Sequence, residues 1–239
     1  MKILALDSSG LVASVAVVED DNLLAEYTVN YKKTHSQTLV PMLDEIAKMI
    51  ELDLNTIDAI AVAAGPGSFT GLRIGSATAK GLGLALKKPL IGIPTVEGLA
   101  YNLYGTKDLI CPLMDARRNQ VYTGIYEFFG DGNEFHKVAD QMAVGIEEIL
   151  ERLNTTGRAV VFLGDGVAVY RNVIEQLCKV PYTFAPAHLN KQRAGALAAL
   201  AEQYFSEGKT EDAADHRPDY LRLSQAERER MEKERRQEA

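Results

Sequence analysis

The sequence predicts an α/β protein built as two related lobes. Three observations carry this reading. Short apolar runs of strand length alternate with helix-length segments. The first half opens with three such runs joined by tight turns, then continues helix, strand, helix, strand. The same order of elements recurs in the second half, although the halves share no visible residue identity. At 239 residues there is room for one large or two small domains, and 46% hydrophobic with 25% charged residues is a globular balance. A formal charge of −7 argues against a large nucleic-acid footprint on this chain alone. No apolar run reaches membrane-spanning length. The opening MKILALDSSG enters a strand pattern with no signal-peptide cleavage region, so a cytoplasmic protein is expected. Cys111 and Cys178 stand far apart in apolar surroundings and read as reduced core thiols.

In the first half, Lys2–Leu6 is a buried-strand candidate and Asp7-Ser8-Ser9-Gly10 is turn chemistry. Leu11–Val18 and Leu23–Val29 are the next two strands, with Glu19–Asn22 turning between them. Ser36–Ile50 reads as a helix: Leu39, Leu43, Ile46 and Ile50 form one narrow stripe, flanked by Met42 and Met49 on one side and Val40 and Ala47 on the other. Ile57–Ala64 is rich enough in Ile and Ala-flanked Val to be buried, and Gly65-Pro66-Gly67 stops it. Ser68 can cap the helix that follows, Phe69–Leu86. Inside that helix Gly71, Gly75, Ala79 and Gly83 fall every four residues and so form one row. Each Gly costs about 1 kcal/mol relative to Ala, which implies that something packs there at backbone distance. A Gly-rich turn before a helix is also an anion-site candidate. It lacks the Gly-Lys-Ser/Thr of a P-loop, however, and its G-P-G-x-x-x-G is one residue too long for a dinucleotide fingerprint. Leu90–Ile93 is a strand and Thr95–Tyr104 a short helix.

The second half offers strands at Leu109–Met114, Gln120–Phe128 and Glu134–Ala143, with Phe129–Asn133 as a turn. A helix at Ile146–Leu153, a strand at Ala159–Leu163 and a helix at Val167–Leu177 follow, the last after Gly164-Asp165-Gly166. Lys191–Phe205 is a long Ala-rich helix. This order is that of the actin-like and sugar-kinase ATPase superfold, which is ribonuclease-H-like. The expected division is 1–104 plus about 207–224 for the first lobe and 105–206 for the second, with Pro218–Arg222 leading back. In the tail, Gln225–Ala239, acidic and basic residues balance and Met231 is almost the sole large apolar side chain, so a solvated, fraying helix is expected.

Asp7, Ser8 and Ser9 sit where this superfold places its first phosphate-and-metal loop. They read either as a nucleotide–Mg²⁺ contact or as an Asp closing its own hairpin turn. His35, His136, His188 and His216 are scattered, and no pair has the i, i+4 spacing of a helical zinc site. Ser68 and Thr70 have no base nearby in sequence, so a peptidase reading gets little support.

GPGSFTGLRIG at Gly65–Gly75, supported by ILALDSS at Ile3–Ser9 and PDYLR at Pro218–Arg222, resembles the TsaB (YeaZ) family. These are the small partner subunits of the bacterial tRNA threonylcarbamoyladenosine machinery. The resemblance runs over most of the chain and implies the two-lobe fold above. It implies a non-catalytic scaffold that pairs with a catalytic TsaD-like subunit and recruits a TsaE-like ATPase. The reaction served would be threonylcarbamoyl transfer to the adenosine next to the anticodon, with tRNA met only through the complex. ATP and a metal would then sit on partner subunits, with no cofactor on this chain alone. The catalytic sisters carry a metal-binding HxxxH whose two histidines fall on Thr95 and Leu99 here. Threonine is a poor ligand for iron or zinc and leucine is none. The sisters' nucleotide-side glycine pair is also altered, to Gly164-Asp165-Gly166, and a carboxylate beside a phosphate repels it unless a metal intervenes. The rival reading is a stand-alone ATPase or small-molecule kinase using Asp7 and Gly164–Gly166. The expected partner face, for the sister subunit or for a second copy in a homodimer, comprises the two helices of the first lobe. Its residues are His35, Leu39, Met42 and Met49 with Leu72, Gly75, Ser76, Ala79, Lys80 and Gly83.

Overall fold

The computed structural model describes residues 1–31, 34–130 and 134–222. The charged segment 225–239 and residues 131–133, where a turn is expected, lie outside the described residues. Two five-stranded mixed sheets form the frame. In the first, β1 (Lys2–Asp7), β2 (Val12–Glu19), β3 (Asn22–Asn30), β4 (Ala59–Gly65) and β5 (Leu90–Pro94) lie in the order β3-β2-β1-β4-β5. The second contains β6 (Leu109–Asp115), β7 (Gln120–Phe129), β8 (Glu134–Gly145), β9 (Val160–Leu163) and β10 (Tyr182–Phe184). Its order is β10-β9-β6-β7-β8, the same topology read from the other edge. In both, the first three strands are an antiparallel meander and the last two pair in parallel. This is the repeated actin-like arrangement. The three-residue β10, too short to give a pattern in sequence, completes the repeat.

The strands sort their side chains by the two-residue period. Leu4, Leu6, Val15, Val17, Ile60 and Val62 face outward, under α1 (His35–Met49) and α2 (Phe69–Leu86). Ile3, Ala5, Ala16, Ala59, Ala61 and Ala63 face a central layer made by α3 (Thr95–Tyr101) and α6 (Ala194–Ser206). Ile110, Met114, Tyr126, Phe128 and Leu163 of the second sheet close that layer from the far side. The outer face of the second sheet is covered by α4 (Ile146–Thr156) and α5 (Gly166–Leu177). The molecule is thus five layers deep.

One boundary moves. The sequence puts the Ala-rich helix in the second lobe, but α6 packs on β1 and β2 of the first sheet. Ala194, Ala198 and Ala201 lie against the alanines of that sheet, so the layers approach closely. Two N-terminal N–H groups of α6 are also met from the first lobe. Ala194 donates to Ser14 Oγ at 2.9 Å and Gly195 to Glu26 Oε1 at 3.0 Å. In exchange α3, which follows the first sheet, leans on β6 and β7 of the second. The segment after α6 returns to the first lobe, where Glu211 pairs with Leu90 and the Asp219 N–H donates to Ala64 O at 2.7 Å.

Candidate functional site

The turn after β1 is built against the start of α2. Asp7 is buried, and its Oδ1 accepts the Ser9 N–H at 2.8 Å and the Ser9 hydroxyl at 2.6 Å. Ser8 Oγ donates to Gly71 O at 2.8 Å, and Ser9 O accepts the Ser68 N–H at 2.6 Å. Ser68 caps α2 by accepting the Gly71 N–H at 3.2 Å. A Cβ on Gly67 would stand 2.3 Å from Ser9 O, and one on Gly71 would stand 2.0 Å from Ser8 O. Further along, a Cβ on Gly75 would meet Ser8 Oγ at 2.6 Å, and one on Gly83 would meet Ala213 Cβ at 2.7 Å. The glycine row therefore serves close packing within this chain. His35 Nε2 lies 2.8 Å from Gly10 O and must be the protonated nitrogen, since a carbonyl can only accept. Burial pushes the Asp7 carboxyl above its usual range, and the two Ser9 donors pull it part of the way back. The structure thus brings Asp7, Ser8 and Ser9 together and commits Asp7 Oδ1 and both serine hydroxyls to hydrogen bonds within the fold.

The second lobe repeats the device. Asp115 ends β6, and its Oδ1 accepts the Arg117 N–H at 2.8 Å, two residues on, as Asp7 does with Ser9. Cβ atoms on Gly164 and Gly166 would stand 2.2 and 2.9 Å from Leu113 O. Asp165 Oδ1 accepts the Asp115 N–H at 3.1 Å. Between the two turns lies a cleft of about 340 Å³, lined by Ser9, Gly67, Ser68, Asp115, Arg117 and Asp165. Arg117 pairs with Asp115 at 3.0 Å, whereas Asp165 has no ion pair among the described residues. A phosphate entering here meets uncompensated negative charge. Sequence reasoning passed over Asp115 and Arg117. The signal was an Asp ending an apolar strand, at the position Asp7 holds in the first lobe.

Thr95 and Leu99 lie on α3 and are buried between the two sheets. Thr95 Oγ1 is enclosed with no hydrogen-bond partner among the described residues, and Leu99 offers no donor atom. On the same helix, buried Glu97 accepts the Tyr204 hydroxyl at 2.6 Å and pairs with Lys137 at 2.7 Å, which ties α3 to α6 and β8. These residues do not fit a transition-metal site. Among the described residues no three His, Cys, Asp or Glu side chains cluster as a metal would require. Cys111 is buried, its thiol pushed up to about 12 by desolvation, and Cys178 is half-buried; both are free.

The expected partner face is rearranged. Leu39, Met42, Leu72, Gly75, Ser76, Ala79 and Gly83 are buried within the first lobe, because the sheet takes the inner faces of both helices. Their side chains are not available to a partner. Met42 joins the core with Leu39 and Ile46, and Lys80 Nζ donates to Ala214 O and His216 O at 2.7 and 3.0 Å. Neither belongs to an open outer face, contrary to the sequence reading. Of the set, Met49 is strongly exposed, at 75%. The face that α2 does present carries Arg73, Ala77, Gly81, Leu84 and Ala85, and a Cβ on Gly81 would meet nothing within 4 Å. Val40 of α1 is exposed as well.

The comparisons with known proteins agree with this geometry. The family model described as TsaD, tRNA N6-adenosine threonylcarbamoyltransferase, matches residues 22–230. The Bacillus subtilis (strain 168) protein named "tRNA threonylcarbamoyladenosine biosynthesis protein TsaB" is 35% identical over 230 residues, covering 95% of this chain and 96% of its own. Its Escherichia coli (strain K12) namesake is 29% identical over 224 residues, covering 93% and 95%. The solved structure of YeaZ from Pseudomonas aeruginosa superposes with a TM-score of 0.79 at 26% identity, over 92% of this chain and 99% of that one. The chain belongs to the TsaB family and is spanned, over most of its length, by the family model of the TsaD transferases.

Proposed function

We propose that this protein is the non-catalytic partner of a TsaD-like subunit, supporting threonylcarbamoyl transfer to the adenosine next to the anticodon of tRNA. The observation that carries this reading is α3. At the two positions where the resemblance places the sister's metal-binding histidines, Thr95 and Leu99 are packed between the sheets, and Glu97 locks the helix through Tyr204 and Lys137. The metal and ATP would be held by partner subunits, and a TsaE-like ATPase would join the assembled pair. The tRNA would be met only through the complex, in keeping with the net charge of −7. Among the described residues no helix is long and apolar enough to cross a membrane. The docking face consists of the outer sides of α1 and α2, where Ala77, Gly81 and Ala85 let a second helix approach and Val40, Met49 and Leu84 supply apolar contact. A homodimer would use the same face.

The rival, a stand-alone ATPase or kinase, needs the inter-lobe cleft to accept phosphate. The Asp165 carboxylate in the cleft and the engagement of Asp7 Oδ1 by Ser9 weigh against it. The deciding experiment is reconstitution. The chain alone should transfer no threonylcarbamoyl group and hydrolyse no ATP above background, and transfer should appear when the TsaD-like and TsaE-like subunits are added. Transfer by the chain alone would overturn the proposal.

A further inference from the structure

A groove of about 450 Å³ runs along α6 where β3, the edge of the first sheet, meets the end of α3. It lies apart from the inter-lobe cleft and shares none of its lining residues. Two residues that line it each carry a side-chain oxygen with no hydrogen-bond partner among the described residues. Asn102 donates both amide hydrogens to carbonyls, Leu189 O at 2.9 Å and Lys191 O at 2.7 Å. That fixes which end of the amide is oxygen, and Oδ1 is left buried with nothing to accept. Glu202 Oε1 is also enclosed, with no hydrogen-bond partner among the described residues. Both orphans are acceptors, so what they lack is an N–H or O–H donor. The charge of the wall narrows the choice. Its cation, Arg193, is already held by Glu26, with Nε at 3.0 Å from Oε2. The N-terminal ammonium, which also acts on Glu202, is paired with Asp20, so Asp21 and Glu202 leave the groove net negative. Tyr101 and Tyr104 line it with rings whose centroids are 5.7 Å apart. Burial is the main cause that raises the Glu202 carboxyl above its usual range; Asp21 and Asp20 add to it and the N-terminal ammonium opposes it. A neutral donor such as water would leave the charge of Asp21 and Glu202 uncompensated.

We propose that this groove binds an organic cation, an alkylammonium or guanidinium group, through Asn102 Oδ1 and Glu202 Oε1, with its carbon stem along Tyr101 and Tyr104. An ammonium or guanidinium carries donors only, so it answers both orphans without adding an acceptor of its own. Aromatic faces favour it further. The same chemistry can come from a free diamine or from a Lys or Arg side chain presented by a partner protein.

The test is a titration of the intact ¹⁵N-labelled chain, followed by NMR at constant ionic strength. The probes are 1,4-diaminobutane, methylguanidine, a blocked Gly-Gly-Lys-Gly-Gly peptide and, as a neutral control, 1,4-butanediol. Both small cations should shift the Asn102 side-chain amide and the Gly195 backbone amide in a saturable way, and the diol should not. Glu202→Gln keeps the shape and removes the charge, and it should weaken binding at least tenfold. Leu23→Arg, at a half-exposed rim position, sets a tethered guanidinium at the mouth and should weaken binding as much, independently of any effect on Glu202. Peptide binding tenfold tighter than the diamine supports the site with a partner's basic side chain as its ligand, and the reverse order supports it with a free amine. The proposal is overturned by silence at both amides, by an equal response to the diol, or by unchanged affinity in both variants.

Discussion

On the inner side of α2, Gly71, Gly75, Ala79 and Gly83 lie against the Ser8 turn, the first sheet and Ala213. On the outer side, about 200° around the helix from Gly75, Ala77, Gly81 and Ala85 face solvent. Both rows have the same four-residue spacing and consist of Gly and Ala alone. The inner row is small because backbone atoms of this chain come within 2.0–2.3 Å of where Cβ atoms would sit at the start of the helix and its turn. At Gly81, in the outer row, no such neighbour stands among the described residues. A stripe of small residues therefore records that something comes close, but not whether that something is the chain itself. The sheet decides: the row that faces the loop leaving β1 is bound to the fold, and the opposite row is left over for other use.

The sharpest break in that comparison is Gly71→Ala. Its methyl would overlap a backbone oxygen, which cannot rotate aside as a side chain can, so α2 or the Ser8 turn must move. Overpacking of this kind costs about 3 kcal/mol, and urea unfolding should show that loss at unchanged slope. A Gly71→Ala protein as stable as the parent would mean that the inner row is not held by this contact.

The second effect is on pairing. Ala77→Arg with Gly81→Arg places two long side chains on the outer row, where, among the described residues, nothing outside the helix's own turn stands within 4 Å of a Gly81 Cβ. The fold should be unaffected, whereas binding to the TsaD-like subunit should fall about thirtyfold, the size of a loss of about 2 kcal/mol at an interface centre. Size-exclusion co-elution and calorimetry measure it. Met42→Glu is the contrasting variant: it buries a carboxylate beside Leu39 and Ile46 and should unfold the first lobe, so it cannot report on the interface. Unchanged pairing in the double Arg variant would put the interface elsewhere.

Much of this frame was legible in the residues. The meanders, the Ser68 cap and the Gly65–Gly67 break follow from period and turn chemistry, which are local. The placement of α6 was not local. Its alanines suit either sheet, and it sits on the first because Ser14 and Glu26, some 170 residues earlier, meet its N-terminal amides. The side of α2 that faces inward was hidden for the same reason, since the Ser8 and Gly71 contact spans 63 positions. In the candidate site, Asp7 was visible as turn chemistry. Its second-lobe counterpart Asp115 was not, because Arg117-Arg118-Asn119 adopts positive φ without a glycine to mark the turn.

A smaller effect concerns the turn under the inner row. Burial raises the folded-state pKa of Asp7 above its ordinary value of 3.8, so the native chain holds this proton more tightly than the unfolded one. Over the window from 3.8 up to the raised value the native state binds more protons, and stability falls as pH rises. Below 3.8 the penalty is absent; above the folded value it is complete. Asp7→Asn removes the titration. The stability of the variant minus that of the parent should therefore grow as pH rises through this window and then level off, whatever constant offset the amide introduces. Parallel urea titrations across acidic pH measure the difference, and a difference flat in pH would show that Asp7 is not desolvated in solution.

The smallest effect has the opposite sign to the first. Gly81 is in the body of α2, and a methyl there meets nothing within 4 Å. Replacing a helical glycine by alanine narrows the unfolded ensemble and stabilises by about 0.5–1 kcal/mol where the native conformation accepts it. Gly81→Ala should raise stability by that amount, from the same helix in which Gly71→Ala lowers it. The pair shares one chemical change and one element, so propensity cancels between them and the difference isolates what each face touches. If an approaching partner helix uses Gly81 for contact, the gain in the isolated chain should be accompanied by weaker pairing with the TsaD-like subunit. A gain in stability with pairing intact would leave Ala77 and Ala85 to set the approach and would show that the outer row tolerates one added methyl.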